Sequence, residues 1–265
     1  MKPNQADNQI EEEHLLNFVV NTLDEELPIE LADSVKVSSE KLYEVLAGAS
    51  ASGTSVNHIC ETTKDSPHAN TVRGHLTDQF DLDTVEQVGD TLLQRDTVDT
   101  LPDRPVEVVA DLHLDPYYGD EDETEALYSS LAKRGTTTFH AYATLYARVR
   151  NKRYTLAVRQ LVAGETSSDV LSEFLELLDG LDLRVKAVYL DRGFYNSTCL
   201  GLLYAYNYAY VIPVVRWGET IQDELSSGWS RVIEHELAGK VTFPVYIDCV
   251  CQQGRYDEHG VARHG

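Results

Sequence analysis

Two aspartates occupy positions where strands seldom carry acids. Asp111 lies inside the apolar run Val106-Glu-Val-Val-Ala-Asp-Leu-His-Leu114, and Asp191 stands at the mouth of Val185–Leu190, where the chain runs into Asp191-Arg192-Gly193-Phe194-Tyr195. Burying an unpaired carboxylate costs several kcal/mol, so an acid inside an apolar strand needs a partner. In an open sheet, ligands collect at the C-terminal strand ends. Two carboxylates meeting there repel unless they share a proton or a divalent cation, and oxygen donors favour Mg²⁺ or Mn²⁺. Paired ions about 3.5–4 Å apart activate one oxygen and stabilise another in phosphodiester transfer. The plainer alternative is that Asp111 pairs with His113 or an arginine, and that Asp191 is a turn residue beside Gly193. Asp115 and Asp120 compete for the first position, although Asp120 opens an acidic run, Asp120–Glu125, that reads as a solvated surface.

The second chemical signal is a cationic stretch in an acidic protein. The 265 residues carry 22 Lys and Arg against 44 Asp and Glu, a net charge of −22, so no general cationic coat for nucleic acid exists. Residues 1–100 hold 20 acids and 6 bases, whereas residues 101–265 hold 24 and 16. Ala126–Gly164 contains no acid at all, yet holds Lys133, Arg134, Arg148, Arg150, Lys152, Arg153 and Arg159. A buried strand pair excludes acids and explains part of this. It does not explain Arg148, Arg150, Lys152 and Arg153 clustering at a turn, which reads as a patch facing DNA phosphates. Lysine is scarce, at 8 against 14 Arg. That balance suits a salt-rich cytoplasm, where screening acts within about 3 Å at molar salt, but an ordinary acidic protein shows it too.

The elements that must position these groups follow from periodicity. After Pro102 and Pro105 the chain reads as strands: Val106–Leu114, a hairpin of Thr136–Val149 and Tyr154–Val162 turning at Arg150-Asn151-Lys152, then Val185–Leu190 and Tyr208–Val215. Between them lie an amphipathic helix capped by Thr166, Ser167 or Ser168 and ended by Gly180, and a helix over Ser197–Tyr206. The order strand-strand-strand-helix-strand-helix-strand implies an α/β fold, a mixed sheet with flanking helices.

Upstream the pattern is helical. Leu15, Leu16, Val19, Val20 and Leu23 predict an amphipathic helix over Glu11–Leu31 closed by Pro28, and Lys41–Ala47 predicts a second. In Thr54–Leu76, Val56, Ile59 and Cys60 recur helically before the turn Lys64-Asp65-Ser66-Pro67. Ser66 then reads as an N-cap with Pro67 at the first helical position. That helix would bury Ala69, Val72 and Leu76 and present His68, Asn70, Thr71, Arg73 and His75. The unit fits a DNA-reading helix-turn-helix, or equally a plain helical hairpin. The expected organisation is a helical DNA-binding region over 1–100, a catalytic core over 101–216, and a strand-rich segment over 217–265 that includes Val241–Val250.

Asp111-Leu-His-Leu-Asp-Pro116-Tyr-Tyr-Gly119 together with Tyr189-Leu-Asp191-Arg-Gly-Phe-Tyr195 resembles transposases of insertion sequences from halophilic archaea, of the DDE class with a ribonuclease-H-like fold. The resemblance implies cut-and-paste transposition: hydrolytic nicking at element ends, then attack of the freed 3′-hydroxyl on target DNA. It casts Asp111 and Asp191 as the first two metal-binding acids with Mg²⁺ or Mn²⁺, Arg192 as a DNA contact beside them, double-stranded DNA (element ends and target) as partner, and a homodimer as the active form. The related pattern needs a third acid in Tyr-x2-Arg-x3-Glu-x6-Lys. Here His235 follows Arg231 at the glutamate position, His259 follows Arg255, and Asn196 follows Tyr189 and Arg192. Glu234, Glu236 and Asp248 are the available substitutes. The chain is therefore expected to be a truncated transposase without turnover or, alternatively, a DNA-binding remnant that occupies element ends.

No run of eighteen apolar residues is present, which excludes a transmembrane helix, and Met1–Glu13 is too polar for a secretory signal. The four cysteines (Cys60, Cys199, Cys249, Cys251) are too scattered for a disulfide framework, and Cys249-Val-Cys251 lacks a second pair at zinc spacing. A cytoplasmic protein is expected, with no membrane partner.

Overall fold

The computed structural model describes residues 12–32, 34–77, 79–121, 126–214, 222–223, 226, 231–237 and 241–247. The chain divides into two compact units, residues 1–91 and 92–265, with the division inside one helix.

The first unit contains α1 (Glu12–Glu26), α2 (Ser39–Ser52), α3 (Val56–Thr62), α4 (Ala69–Leu76) and the start of α5 (Leu82–Thr100). Its core is Val20, Ile29, Leu42, Tyr43, Val45 and Val72. Only part of the apolar stripe read on α1 enters it. Val20 is buried and Leu23 packs at the edge, but Leu15 and Leu16 are exposed. The Tyr43 hydroxyl donates to the Leu27 carbonyl just past α1, and burial pushes its pKa up to about 12. Ser38 caps α2 by accepting from the Lys41 N–H, and Gly53 closes that helix at φ 58°, the left-handed geometry that favours glycine.

The cap read for α4 is corrected. His68 is the N-cap, its Nδ1 accepting from the Asn70 N–H at 3.3 Å, and Pro67 precedes the helix. The Ser66 hydroxyl is buried without a hydrogen-bond partner among the described residues. Asp65, at φ 58°, spends a left-handed residue on the turn and delays helix entry to Ala69.

The second unit is built on a six-stranded sheet: β1 (Val106–Pro116), β2 (Tyr128–Lys133), β3 (Thr136–Val149), β4 (Lys152–Leu161), β5 (Val185–Leu190) and β6 (Tyr210–Val211). The order is β2-β3-β1-β5-β6, with β4 also on β3. β3 runs antiparallel to β1, β2 and β4, whereas β1, β5 and β6 are parallel. α6 (Ser167–Gly180) and α7 (Ser197–Ala205) make the crossovers. A further pair, β7 (Arg231–Leu237) and β8 (Val241–Ile247), is antiparallel.

Alternation decides which face is dry. Val106, Val108 and Ala110 of β1, Ala141, Ala143, Leu145 and Ala147 of β3, and Val188 and Leu190 of β5 form one buried face. Val170, Leu171, Phe174 and Leu178 of α6 and Cys199 and Leu203 of α7 pack on it. The alanines of β3 leave room for the helices. The opposite face carries Glu107, Val109, Asp111, His113 and Asp115, of which the last three are exposed. Asp111 therefore escapes the burial cost expected of an acid in an apolar strand. It lies on the open side.

Thr166 is the α6 cap, in a reciprocal capping box with Asp169. Gly180 is not a left-handed terminator. It is the last helical residue, and the Leu181 N–H closes the turn onto Leu177. β6 spans two residues where a strand over Tyr208–Val215 was expected. Asn207 at φ 56° turns the chain just before it, and Pro213 has no N–H to give a ladder. α5, β2 and β7 had no counterpart in the sequence reading. No helix among the described residues is long and apolar enough to cross a membrane.

Candidate functional site

β1 and β5 bring the two aspartates together. Ala110 pairs with Leu190 at the last rung of the parallel ladder, and the Asp191 N–H donates to the Ala110 carbonyl at 3.3 Å. Asp191 is thus the first residue past the C-terminal end of β5, beside Asp111 on β1. Asp191 caps a single 3-10 turn, Arg192–Phe194, its Oδ1 accepting from the Gly193 N–H at 2.7 Å. Gly193 is required by proximity: a Cβ there would lie 2.9 Å from Asp191 Oδ1 and 3.2 Å from Leu112 Cδ2.

The electrostatics of the pair are unfavourable. Burial pushes the Asp191 carboxyl up from its ordinary value, and the neighbouring charge of Asp111 pushes it further. The Gly193 N–H and the charge of Lys133 oppose them. Asp111 makes no hydrogen bond or ion pair with a described residue. Among the described residues, the arginine or His113 partner offered as the plain explanation of Asp111 is therefore not formed, while the turn role offered for Asp191 is. One Asp191 oxygen serves the turn. Among the described residues no group of three metal-ligating side chains forms. Glu234 and Glu236 are exposed on β7; Asp248, Cys249, Cys251, Arg255 and His259 lie outside the described residues. Asn196, standing where the third acid was sought, caps α7 by accepting from the Cys199 N–H at 2.9 Å.

Four residues upstream on the same face of β1, Glu107 has the opposite surroundings. Its carboxylate accepts from Arg148 at 2.6 and 3.2 Å, from Lys186 Nζ at 3.2 Å and from the Tyr189 hydroxyl at 3.2 Å. The bonds from Arg148, then Lys186, lower its pKa to about 2. The Arg148 guanidinium also lies 5.5 Å from the Tyr189 ring centroid, and Arg153 lies 5.0 Å from that of Tyr146. Two of the four cations read as a phosphate-facing cluster thus have partners inside the chain. Arg150 and Lys152 have none among the described residues. They flank the β3–β4 turn, where Arg150 takes φ 57° at a position that ordinarily favours glycine.

On α4, His68, Asn70 and Arg73 are exposed and Thr71 and His75 half-buried, with Ala69 and Val72 in the core. His68 is occupied as the cap, and Arg73 Nη1 donates to Asn70 Oδ1 at 3.3 Å. Arg192 is exposed beside Asp191. Sequence reasoning missed Glu107, Lys133 and Lys186 as participants. The only available signal for Glu107 was an acid alternating with valines.

No protein-family model matches the chain, and no curated protein matches it in sequence. Among solved structures, a piggyBac transposase synaptic complex with hairpin DNA aligns at a TM-score of 0.42 and 10% identity, over 92% of this chain and 60% of that chain. The chain thus spans about 60% of that structure's length. A likeness at that level carries no argument about activity.

Proposed function

We propose that the protein acts on double-stranded DNA as a DDE-class transposase of a haloarchaeal insertion sequence, its sheet unit being a ribonuclease-H-like core. The observation that carries the proposal is the meeting of Asp111 and Asp191, eighty residues apart, where the parallel β1–β5 ladder ends, Asp111 mid-way along β1 and Asp191 just past β5. A mixed six-stranded sheet with helices as crossovers is compatible with such a core. The donor set fits Mg²⁺ or Mn²⁺: both groups are carboxylates, one lacks a partner among the described residues, and Mg²⁺ is commonly held by one or two carboxylates plus substrate phosphates. Bound there, the ion would supply Lewis-acid stabilisation of a phosphoryl oxygen and a nucleophilic oxygen at neutral pH. The chain's own part is placement. Gly193 fixes one oxygen of Asp191, Asp111 offers a free carboxylate, and Lys133 tempers the local negative charge. Arg192, the α4 surface and the Arg148–Arg153 turn would hold the DNA, in a homodimer when element ends are joined.

A second reading, a DNA-binding protein that occupies element ends without cutting, is favoured by the lack of a third ligand among the described residues. Incubating the full chain with end-labelled duplex and supercoiled plasmid in Mg²⁺ or Mn²⁺ separates the two. Nicking abolished by Asp111→Asn or Asp191→Asn supports the enzyme. Binding without nicking supports the second reading, and nicking that survives both substitutions refutes the assignment of the pair.

A further inference from the structure

An open hollow of about 680 Å³ lies where the end of α5, the start of β1 and the β3–β4 turn meet, lined by Thr100, Pro102, Arg104, Arg150, Lys152 and Tyr154 among others. Three of its lining side chains are cationic and none is acidic. Among the described residues, none of the three takes part in an ion pair or side-chain hydrogen bond. In a chain of net charge −22 this is anomalous. Acids are plentiful, and other cations on the sheet unit have found them, as the exposed Arg184 has with Asp103 and the half-buried Arg159 with Glu173. Like charges converging without a counter-charge raise the free energy of the chain unless an anion neutralises them. Arg150 adds conformational cost through its left-handed φ, and strain of that kind collects at ligand-binding positions.

We infer that the Arg104–Arg150–Lys152 hollow is a phosphate-binding site and that its ligand is a backbone phosphate of bound DNA, an inference that rests on the DNA-binding reading above. Arginine supplies the planar donors that phosphate accepts, and the lysine supplies a mobile point charge. Tyr154 provides an aromatic wall for the adjoining sugar or base. The hollow is at the N-terminal end of β1. Five residues of extended strand, about 17 Å, separate Val106 from Asp111. A duplex reaching both would be gripped about five base pairs from the aspartate pair, at 3.4 Å per pair.

The test is the salt dependence of binding of the full chain to a fluorescent random-sequence duplex. Three proteins are compared: wild type, the pocket variant Arg104→Gln/Arg150→Asn/Lys152→Gln, and the control Arg159→Gln/Arg184→Gln, whose cations are already ion-paired within the chain. Asparagine is chosen at 150 because it tolerates left-handed backbone. Circular dichroism confirms that each is folded, and Arg104→Lys/Arg150→Lys restores charge if the pocket variant is not. The expected result is a log-log slope lowered by about 2 to 3 in the pocket variant, at roughly 0.9 per phosphate contact, and by less than about 1 in the control. An unchanged slope, or an equal fall in the control, overturns the inference while leaving DNA binding intact. If wild type binds no DNA, the functional reading fails, and inorganic pyrophosphate then decides the site. A rise in wild-type melting temperature that the pocket variant lacks keeps a phosphate site with a free-phosphate ligand, and no rise overturns it.

Discussion

Glu107 and Asp111 share one face of β1, with Asp191 beside Asp111 just past β5, yet the surroundings of Glu107 and of the aspartate pair are electrostatically opposite. Glu107 sits among Arg148, Lys186 and Tyr189 and is held as an anion, its pKa lowered to about 2. Asp191 is half-buried beside another carboxylate, and its pKa is raised. The first arrangement is complete without a ligand. The repulsion in the second would be relieved by a shared proton or by a cation. A carboxylate in a strand is thus not informative by type. What separates a structural acid from a candidate metal ligand is whether the fold has already supplied its counter-charge.

The sharpest way to break this contrast is by activity. In Mg²⁺-dependent nicking, Asp111→Asn or Asp191→Asn is expected to lower the rate about 10³-fold or more, since losing several kcal/mol of transition-state stabilisation costs tenfold per 1.36 kcal/mol. Glu107→Gln is expected to lower it less than tenfold. Comparable losses would erase the distinction.

Metal-linked stability comes next. Saturating Mn²⁺ at about a hundredfold over its dissociation constant should stabilise wild type and Glu107→Gln by about 2.7 kcal/mol, read as a rise in melting temperature. Asp191→Asn should gain little. Without metal, Asp191→Asn should be no less stable than wild type, because it removes a repulsion.

The pH profiles should have opposite signs. A lowered pKa means that the folded state binds the proton of Glu107 more weakly, so its contribution is present above the ordinary carboxylate value, near 4.5, and is lost as pH falls toward 2. A raised pKa means that Asp191 is favourable when protonated, and its contribution is lost as pH rises through 3.8 toward its folded value. Urea unfolding between pH 2 and 6 should show Glu107→Gln flattening the acid-side loss and Asp191→Asn flattening the opposing one. Parallel profiles for the two variants would remove the electrostatic account.

The smallest expected effect is Tyr189→Phe, which removes one hydrogen bond to Glu107 and keeps the ring beneath Arg148. A cost of about 0.5–1.5 kcal/mol is expected by denaturant melting. A larger loss would mean that the tyrosine serves the aspartate pair as well.

Much of the frame was legible in the residues. Alternation in Val106–Leu114 and Val185–Leu190 placed β1 and β5 nearly to the residue, and the Thr166 cap with its apolar stripe placed α6. The elements that were missed lacked such a signature. β2 is short and mostly exposed, with no apolar face to alternate. α5 is largely polar with a weak stripe. The α4 start was misassigned because Ser66-Pro67 is a strong local cap signal, overridden by the left-handed Asp65.

The sequence by itself determined the periods, the charge balance and the two acids worth watching, because those are properties of neighbours along the chain. Only the tertiary structure decided that Asp111 faces solvent, that Asp191 lies beside it, that Arg148 belongs to Glu107, and that Arg104 joins Arg150 and Lys152. Each of those depends on strand register across tens of residues. A slip of one residue on β1 would move its whole alternating set to the other face, and the cost of that slip is set by the α6 and α7 side chains that cover the buried one.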